Sequence, residues 1–468
     1  MEKRKVAIIG GGITGLAAAY QLERAKAKTY PIHYDLYEKA DRLGGKIATI
    51  RHDGFIIERG PDSFLARKKS MTRLAEAVGL KDELVSNDTG QSYVLHGTKL
   101  YPIPKGAVMG IPTDVRPFLE SKLFSRKAKL RAALDIIIPR VIDDDEDVSL
   151  GHFFRRRLGD EVVDRLIEPL LSGIYAGDID RLSLKATFPN FQQLEKKYGS
   201  LIRGMKAMRP TSKGGAPKGI FLTFRQGLAS FVDALEAQLD KDAVHKQTEV
   251  RAIEKDGEAY TVTLADGTKK RYDAVIVATP PHVTASLFRN YPYFRYLDEM
   301  KATSVANVAL CFKEAAVSYP FEGTGFVVPS KSEYKMTACT WTNKKWRHST
   351  PPGFALMRVF VGKPGDASIV DESDATIVKT VLAELRRAMK IDGEPEFFYV
   401  TRWKRAMPQY EVGHTYKIAK LKEDVDRHLP GVYVCGAAFE GIGLPDCIDQ
   451  GERAATAVLR KFDENKKG

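Results

Sequence analysis

The chain has 468 residues, enough for two to three domains of about 100–200 residues each. Hydrophobic residues make up 43%, so a large core can be buried, yet no stretch approaches the ~20 apolar residues that would span a bilayer. Lysine and arginine number 73 against 60 acidic residues, and the net charge of +13 reads either as a generally basic surface or as attraction to anions; with no helix-turn-helix, zinc-finger or aromatic-basic motif, nucleic acid is excluded.

Lys5–Ile9 has the pattern of a buried strand, Gly15–Arg24 that of a helix, and Tyr34–Glu38 alternates like a second strand, making one βαβ unit. From about Gln91 to Met208 the chain is richer in helix formers and basic residues. Ser125–Val141 reads as a basic helix with an apolar end stopped near Pro139, and Leu150–Tyr175 as another helical stretch. Arg209–Lys218 has the composition of a linker. Strand patterns return at Ala259–Leu264, Lys270–Asp273, Asp273–Thr279, Val305–Phe312 and Phe354–Val361. Gly431–Cys435 is the last strand, Cys447–Phe462 the last helix, and the charged tail Lys461–Gly468 is expected to fray.

Cys311, Cys339, Cys435 and Cys447 form no CxxC pair, and the nine histidines do not cluster with them, so neither a metal site nor a disulfide framework is expected. Val6–Gly12 is too short an apolar run for a secretory signal, and a reduced cytosolic chain with at most peripheral membrane contact is the expectation.

Gly10, Gly12 and Gly15 form a GxGxxG between the first strand and the first helix. The first glycine permits the turn, the second admits a pyrophosphate, the third lets helix and strand pack closely, and the helix N-terminus meets the phosphates. Glu38 ends the next strand, 23 residues beyond Gly15, where a carboxylate accepts hydrogen bonds from a ribose diol. Arg42-Leu43-Gly44-Gly45-Lys46 adds a second glycine turn that a simple NAD domain does not need. Glu58–Phe64 is a rigid turn carrying backbone donors, and Val434–Ala438 ends a strand before Gly441, Gly443, Pro445 and a helix beginning near Asp446. A helix N-terminus there can stabilise negative charge on a reduced flavin. No second GxGxxG precedes another helix; Gly323-Thr324-Gly325 lacks the third glycine, so dioxygen is the simplest electron acceptor.

These pieces, in this order, resemble the flavin amine oxidase superfamily. Ile57–Ser70, Gly90–Leu95, Pro104–Thr113, Ile167–Leu184, Thr303–Leu310 and Phe439–Gly451 are similar to the porphyrinogen oxidases, specifically the soluble form of Gram-positive bacteria. The resemblance implies an α/β (α+β overall) architecture: a Rossmann-type FAD-binding domain (1–70, 219–290 and 395–468), a mixed-sheet substrate domain (71–92 and 291–394) and a helical insertion (93–218). It implies non-covalent FAD held by Gly10, Gly11, Gly12, Ile13, Thr14, Gly15, Glu38, Lys39, Gly45, Lys46, Gly60, Pro61, Asp62, Ser63, Val250, Trp403, Gly436, Ile442, Gly443, Leu444 and Ile448.

The implied reaction is a six-electron, dioxygen-dependent oxidation of coproporphyrinogen III to coproporphyrin III with release of hydrogen peroxide, extending to protoporphyrinogen IX. The alternatives are a protoporphyrinogen IX oxidase proper or another oxidase of the superfamily. Lys68 is the residue the resemblance places at a substrate propionate, and Gly173, Tyr175 and Gly177 match a motif at the macrocycle pocket. No side chain stands out as a general base, so the catalytic residue is left unassigned. Transient contact with a ferrochelatase is the remaining implied partnership.

Overall fold

Five short apolar runs from distant parts of the chain pair into one parallel sheet in the computed structural model, which describes residues 3–140, 146–208 and 219–464. The order across the sheet is Val244–His245, Ile32–Tyr37, Arg4–Ile9, Ala274–Val277 and Val432–Val434, every neighbour parallel. Parallel strands need both faces covered. Val6 and Ile8 face the helix Ile13–Ala27 and the C-terminal helix Leu444–Glu464, in one core with Leu16 and Val458. Ala7 and Ile9, one residue out of phase, face a three-stranded antiparallel layer (Val250–Asp256, Ala259–Leu264, Lys269–Tyr272) through Tyr260 and Val262. The two helices touch closely because residue 451 is glycine: a Cβ there would lie 2.1 Å from the Thr14 carbonyl oxygen. That contact docks the start of the C-terminal helix beside the GxGxxG turn.

A second, seven-stranded sheet runs Phe397–Pro408, Ala302–Lys313, Phe354–Val361, Met336–Trp341, Gly325–Val327, Tyr93–His96, Lys99–Pro102. All its pairs are antiparallel except Gly325–Val327 with Tyr93–His96. One face packs under the helix Asp374–Ala388, and the other carries Ala309, Cys311 and Leu356 against Phe55 and Ile57. Two boundaries shift as a result. Tyr93–Pro102, counted above with the helical insertion, forms one edge of this sheet, and Phe397–Pro408, counted with the FAD segments, forms the other. Their partners lie hundreds of residues away, so composition around them could not place the boundaries.

The helices between residues 115 and 207 share a separate core. The helix expected over Ser125–Val141 spans only Arg126–Ala133, capped by the Ser125 hydroxyl, and ends in one 3-10 turn, Leu134–Ile136; Val141 lies outside the described residues. The stretch Leu150–Tyr175 is not one helix: Gly159, at φ +84°, ends the first part, and a wide turn at Val163–Ile167 precedes Glu168–Tyr175. Left-handed backbone favours glycine, and here it breaks the run. The linker Arg209–Lys218 and the tail beyond Glu464 lie outside the described residues, and among those described no helix is long and apolar enough to cross a membrane.

Candidate functional site

The first strand delivers Gly10 at φ +102°, and a Cβ there would sit 2.7 Å from the Ala278 carbonyl oxygen. A Cβ at Gly15 would sit 1.9 Å from the Gly10 carbonyl oxygen, whereas one at Gly12 meets nothing within 4 Å. The outer glycines are therefore required by packing and the middle one borders open space. No side chain caps the helix that begins at Ile13 and Thr14, and its first turn holds no acid. Its N-terminus keeps its partial positive charge for an anion.

Glu38 stands beside this turn. Its carboxylate accepts the Gly11 N–H at 2.7 Å and the Ala40 N–H at 2.8 Å, which fixes it at the strand end. Residues 245–248 dock along it: the Glu38 N–H donates to the His245 carbonyl and the Thr248 N–H donates to the Glu38 carbonyl. Val250 begins the following strand, and Lys39 is exposed and paired with Glu249 at 2.9 Å. The second glycine turn folds onto the first, with the Gly44 N–H donating to the Gly11 carbonyl at 2.8 Å. Arg42 ties it by donating to the Gly45 and Ile47 carbonyls. Lys46 donates to the Ala406 carbonyl, and burial lowers its pKa.

Open space at Gly12, an uncapped helix end and a fixed carboxylate together fit an adenine dinucleotide.

Gly60, Pro61, Asp62 and Ser63 follow on a neighbouring loop. Burial opposes the charge of Asp62, but Lys345 at 2.9 Å and Arg358 at 3.3 Å outweigh it and hold the carboxyl well below the usual range. Trp403 stands next to this loop, its indole N–H donating to the Arg59 carbonyl at 2.8 Å.

Glu58 shows the opposite balance. Burial pushes its carboxyl from 4.5 up to about 7, although it accepts the Leu228 N–H at 2.6 Å and the Thr49 hydroxyl at 2.8 Å. An acid whose folded pKa is raised contributes fully below its unfolded value, and the contribution is lost as pH climbs through the folded one. Between pH 4 and 8 the wild type should therefore lose roughly 3 kcal/mol relative to Glu58→Gln. Urea denaturation of both proteins across that range checks it, and parallel curves reject it.

The C-terminal loop completes the arrangement. The Gly436 N–H donates to Gln450, the Tyr410 hydroxyl donates to the Ala437 carbonyl at 2.8 Å, and the Gly441 N–H donates to the Tyr410 oxygen at 3.0 Å. Ile442 packs on the core of the helical insertion and Leu444 on the Rossmann core, so the loop through Gly443 bridges the two. Ile448 is a correction. Its side chain is fully buried in the Rossmann core with Leu16 and leaves no surface for a cofactor.

Lys68 is not a free cation: its ammonium lies 2.5 and 2.6 Å from the two carboxylate oxygens of Asp446, in the first turn of the C-terminal helix. Gly173 is open, with nothing near its Cβ position. Gly177 is not open: a Cβ there would meet Gln409 at 2.3 Å and Leu182 at 2.9 Å, so this glycine serves packing rather than the approach of a flat ring. Tyr175 is buried, its ring 5.6 Å from that of Tyr410, and its carbonyl accepts the Gln409 amide at 2.9 Å.

Sequence reasoning missed Tyr410 and His414. Their rings stack at 3.9 Å, burial lowers the imidazole to about 4, and His414 bridges the Phe439 carbonyl and the Tyr296 hydroxyl. Their five-residue stretch, Tyr410–His414, carries no signal that distinguishes it from an ordinary helix start.

The chain matches the model of the flavin containing amine oxidoreductase family over residues 13–459. It is 52% identical over 462 residues to the coproporphyrinogen III oxidase of Bacillus subtilis (strain 168), covering 98% of each chain. It is 45% identical over 467 residues to that of Staphylococcus aureus (strain NCTC 8325 / PS 47), covering 98% of this chain and 100% of the relative. A crystal structure from Exiguobacterium sp. 255-15, assigned to the protoporphyrinogen oxidases, superposes with a TM-score of 0.89 at 40% identity, covering 98% of this chain and 100% of that one. Reduced UDP-galactopyranose mutase shares the fold, with a TM-score of 0.73 at 16% identity over 98% of this chain and 96% of that one. With about half its residues identical to the Bacillus protein along the full length of both chains, this chain belongs to the flavin containing amine oxidoreductases, in the branch of the coproporphyrinogen III oxidases, and its cofactor is FAD.

Proposed function

We propose that this chain catalyses the oxidation of coproporphyrinogen III to coproporphyrin III in haem biosynthesis, with dioxygen as electron acceptor and hydrogen peroxide as by-product. The observation that carries the reading is the 52% identity, over 98% of both chains, to a coproporphyrinogen III oxidase. The substrate loses four meso C–H and two N–H hydrogens, and three dioxygen molecules take up those six hydrogens as three hydrogen peroxide. FAD, when bound, supplies a two-electron acceptor for hydride leaving a meso carbon.

The chain's own part is to hold and orient. Gly10–Gly15 with its helix end would receive the pyrophosphate, Glu38 the ribose, and Val250 the adenine side. Gly45, Lys46, Gly60–Ser63, Trp403, Gly436 and the Ile442–Leu444 loop would border the rest of the cofactor. The division into FAD domain, substrate domain and insertion, with Tyr93–Pro102 and Phe397–Pro408 counted to the substrate sheet, belongs to the same proposal, as does hand-over of product to a ferrochelatase. No group is assigned as general base. Each of the three rounds removes one hydride from a meso carbon and extends conjugation; one proton follows each time, two of the three from pyrrole nitrogens and one from the remaining meso carbon, so placement supplies the rate.

A propionate arriving at Lys68 meets an ammonium already shared with Asp446, and removing that ammonium leaves the carboxylate to repel the substrate. Lys68→Met should raise KM for coproporphyrinogen III about tenfold, or ~1.4 kcal/mol, with kcat little changed. A lowered kcat at unchanged KM would reject this placement.

The function itself is tested by porphyrin fluorescence in air, with coproporphyrinogen III and protoporphyrinogen IX side by side against an enzyme-free control. Faster turnover of the four-propionate substrate is expected. Preference for protoporphyrinogen IX overturns the substrate assignment, and turnover of neither overturns the reaction.

A further inference from the structure

Two polar residues occupy positions where the alternation of apolar strands calls for hydrophobes. Asn307 lies in Ala302–Lys313 and Arg358 in Phe354–Val361, 2% and 1% exposed. Unpaired polar groups there are costly; Asn307 Oδ1 and Arg358 Nε have no hydrogen-bond partner among the described residues, but the Asn307 amide N–H and the Arg358 Nη groups find theirs in one place, the Glu58–Ser63 loop.

Asn307 donates its amide to the Glu58 carbonyl at 3.0 Å and to the Arg59 carbonyl at 3.1 Å. Trp403, on the adjoining edge strand, donates to the Arg59 carbonyl at 2.8 Å. Arg358 donates to the Gly60 carbonyl and reaches the Asp62 carboxylate at 3.3 Å, where Lys345 and the Trp346 indole N–H also bind. Three consecutive carbonyls are thus held by side chains of the seven-stranded sheet.

The consequence follows from the peptide plane. In a trans peptide the carbonyl of one residue and the N–H of the next point in opposite directions, and the chain contains no cis bond among the described residues. Pinning the Glu58 carbonyl turns the Arg59 N–H the other way, where it meets the Ala48 carbonyl at 2.8 Å. Pinning the Arg59 carbonyl likewise turns the Gly60 N–H away from the sheet, and there it meets no protein acceptor among the described residues. Residue 60 must be glycine, since a Cβ would lie 2.1 Å from the Lys46 carbonyl oxygen.

We propose that Asn307, Trp403 and Arg358 are positioning residues that aim the Gly60 N–H at the flavin as a fixed hydrogen-bond donor, so that the seven-stranded sheet sets how readily the flavin is reduced. A donor held in place stabilises the negative charge gained on reduction, and a loose one does so less. The inference rests on FAD as cofactor and needs no porphyrinogen.

The test is the two-electron midpoint potential of the flavin-loaded protein, read by anaerobic reduction against reference dyes. Asn307→Leu should weaken the preference for reduced over oxidised flavin about tenfold, a fall of about 30 mV. Trp403→Phe should shift the potential the same way by less, and its half-exposed position keeps the variant folded should Asn307→Leu precipitate. Potentials equal to wild type in the folded variants, whatever their thermal stability, would overturn the proposal and leave the three side chains a structural role only. Because no substrate is present, that outcome says nothing against the porphyrinogen reading.

Discussion

Gly12→Ala is expected to yield a colourless protein that is as stable as the wild-type apoprotein. The added methyl meets no atom of the chain within 4 Å, and φ at this position is −68°, so neither clash nor backbone strain opposes folding. The methyl instead enters the open space at the uncapped helix end, where backbone must come close to a pyrophosphate. FAD affinity should fall by at least a hundredfold, about 2.7 kcal/mol, as read by flavin release on gel filtration and by titration of apoprotein. Gly15→Ala supplies the contrast. Its methyl would lie 1.9 Å from the Gly10 carbonyl oxygen, so helix and strand must separate, and both stability and flavin are lost. Retention of yellow colour by Gly12→Ala would show that the pyrophosphate does not lie over this glycine.

Arg157→Met is expected to do the reverse, destabilising the helical insertion while leaving the flavin bound. Arg157 is fully buried with Asp135 and Glu195, its Nε 3.1 Å from a carboxylate oxygen of each. Its guanidinium also donates to the Ile138 carbonyl at 2.6 Å and to that of Gly199, tying three segments of the insertion together. Removing Arg157 strands the buried Asp135 carboxylate, while Glu195 keeps Arg156, and breaking a buried ion pair costs about 3–5 kcal/mol. Thermal unfolding followed by circular dichroism should show an early transition that precedes flavin release. Adding Asp135→Asn to Arg157→Met should recover part of the loss, because the stranded charge is then gone while Glu195 keeps Arg156. No recovery would mean that shape, rather than charge, is what Arg157 supplies.

Set beside one another, the two variants locate the sequence-legible part of the molecule. The dinucleotide turn could be read directly because its demands are local. Strand, positive-φ glycine, open glycine, helix and distant acid all fall within residues 4–38, and each is a requirement of covalent geometry or of one close contact. The same locality made Ala259–Leu264 and Phe354–Val361 legible as strands with the observed bounds.

What the sequence could not decide concerns which surfaces meet. Ile448 looked like a cofactor contact from its place after Gly443, yet it lies on the face of the C-terminal helix shared with Gly451, Ala455 and Val458, which packs into the Rossmann core. Lys68 read as a free cation because its partner Asp446 is 378 residues away. Gly173 and Gly177 were equivalent in the motif, and only the packing of Gln409 and Leu182 distinguishes the open one from the filled one.

The sequence by itself determined the FAD turn, the class of fold and, through its resemblance, the branch of the family, because turn geometry and strand alternation are properties of neighbouring residues. The tertiary structure alone decided that Tyr93–Pro102 and Phe397–Pro408 edge one sheet, that Lys68 is paired, and that Asn307 and Arg358 hold the loop at Gly60. Those contacts join residues far apart in the chain, and they exist only once burial has removed water and left each polar group to find its partner inside the protein.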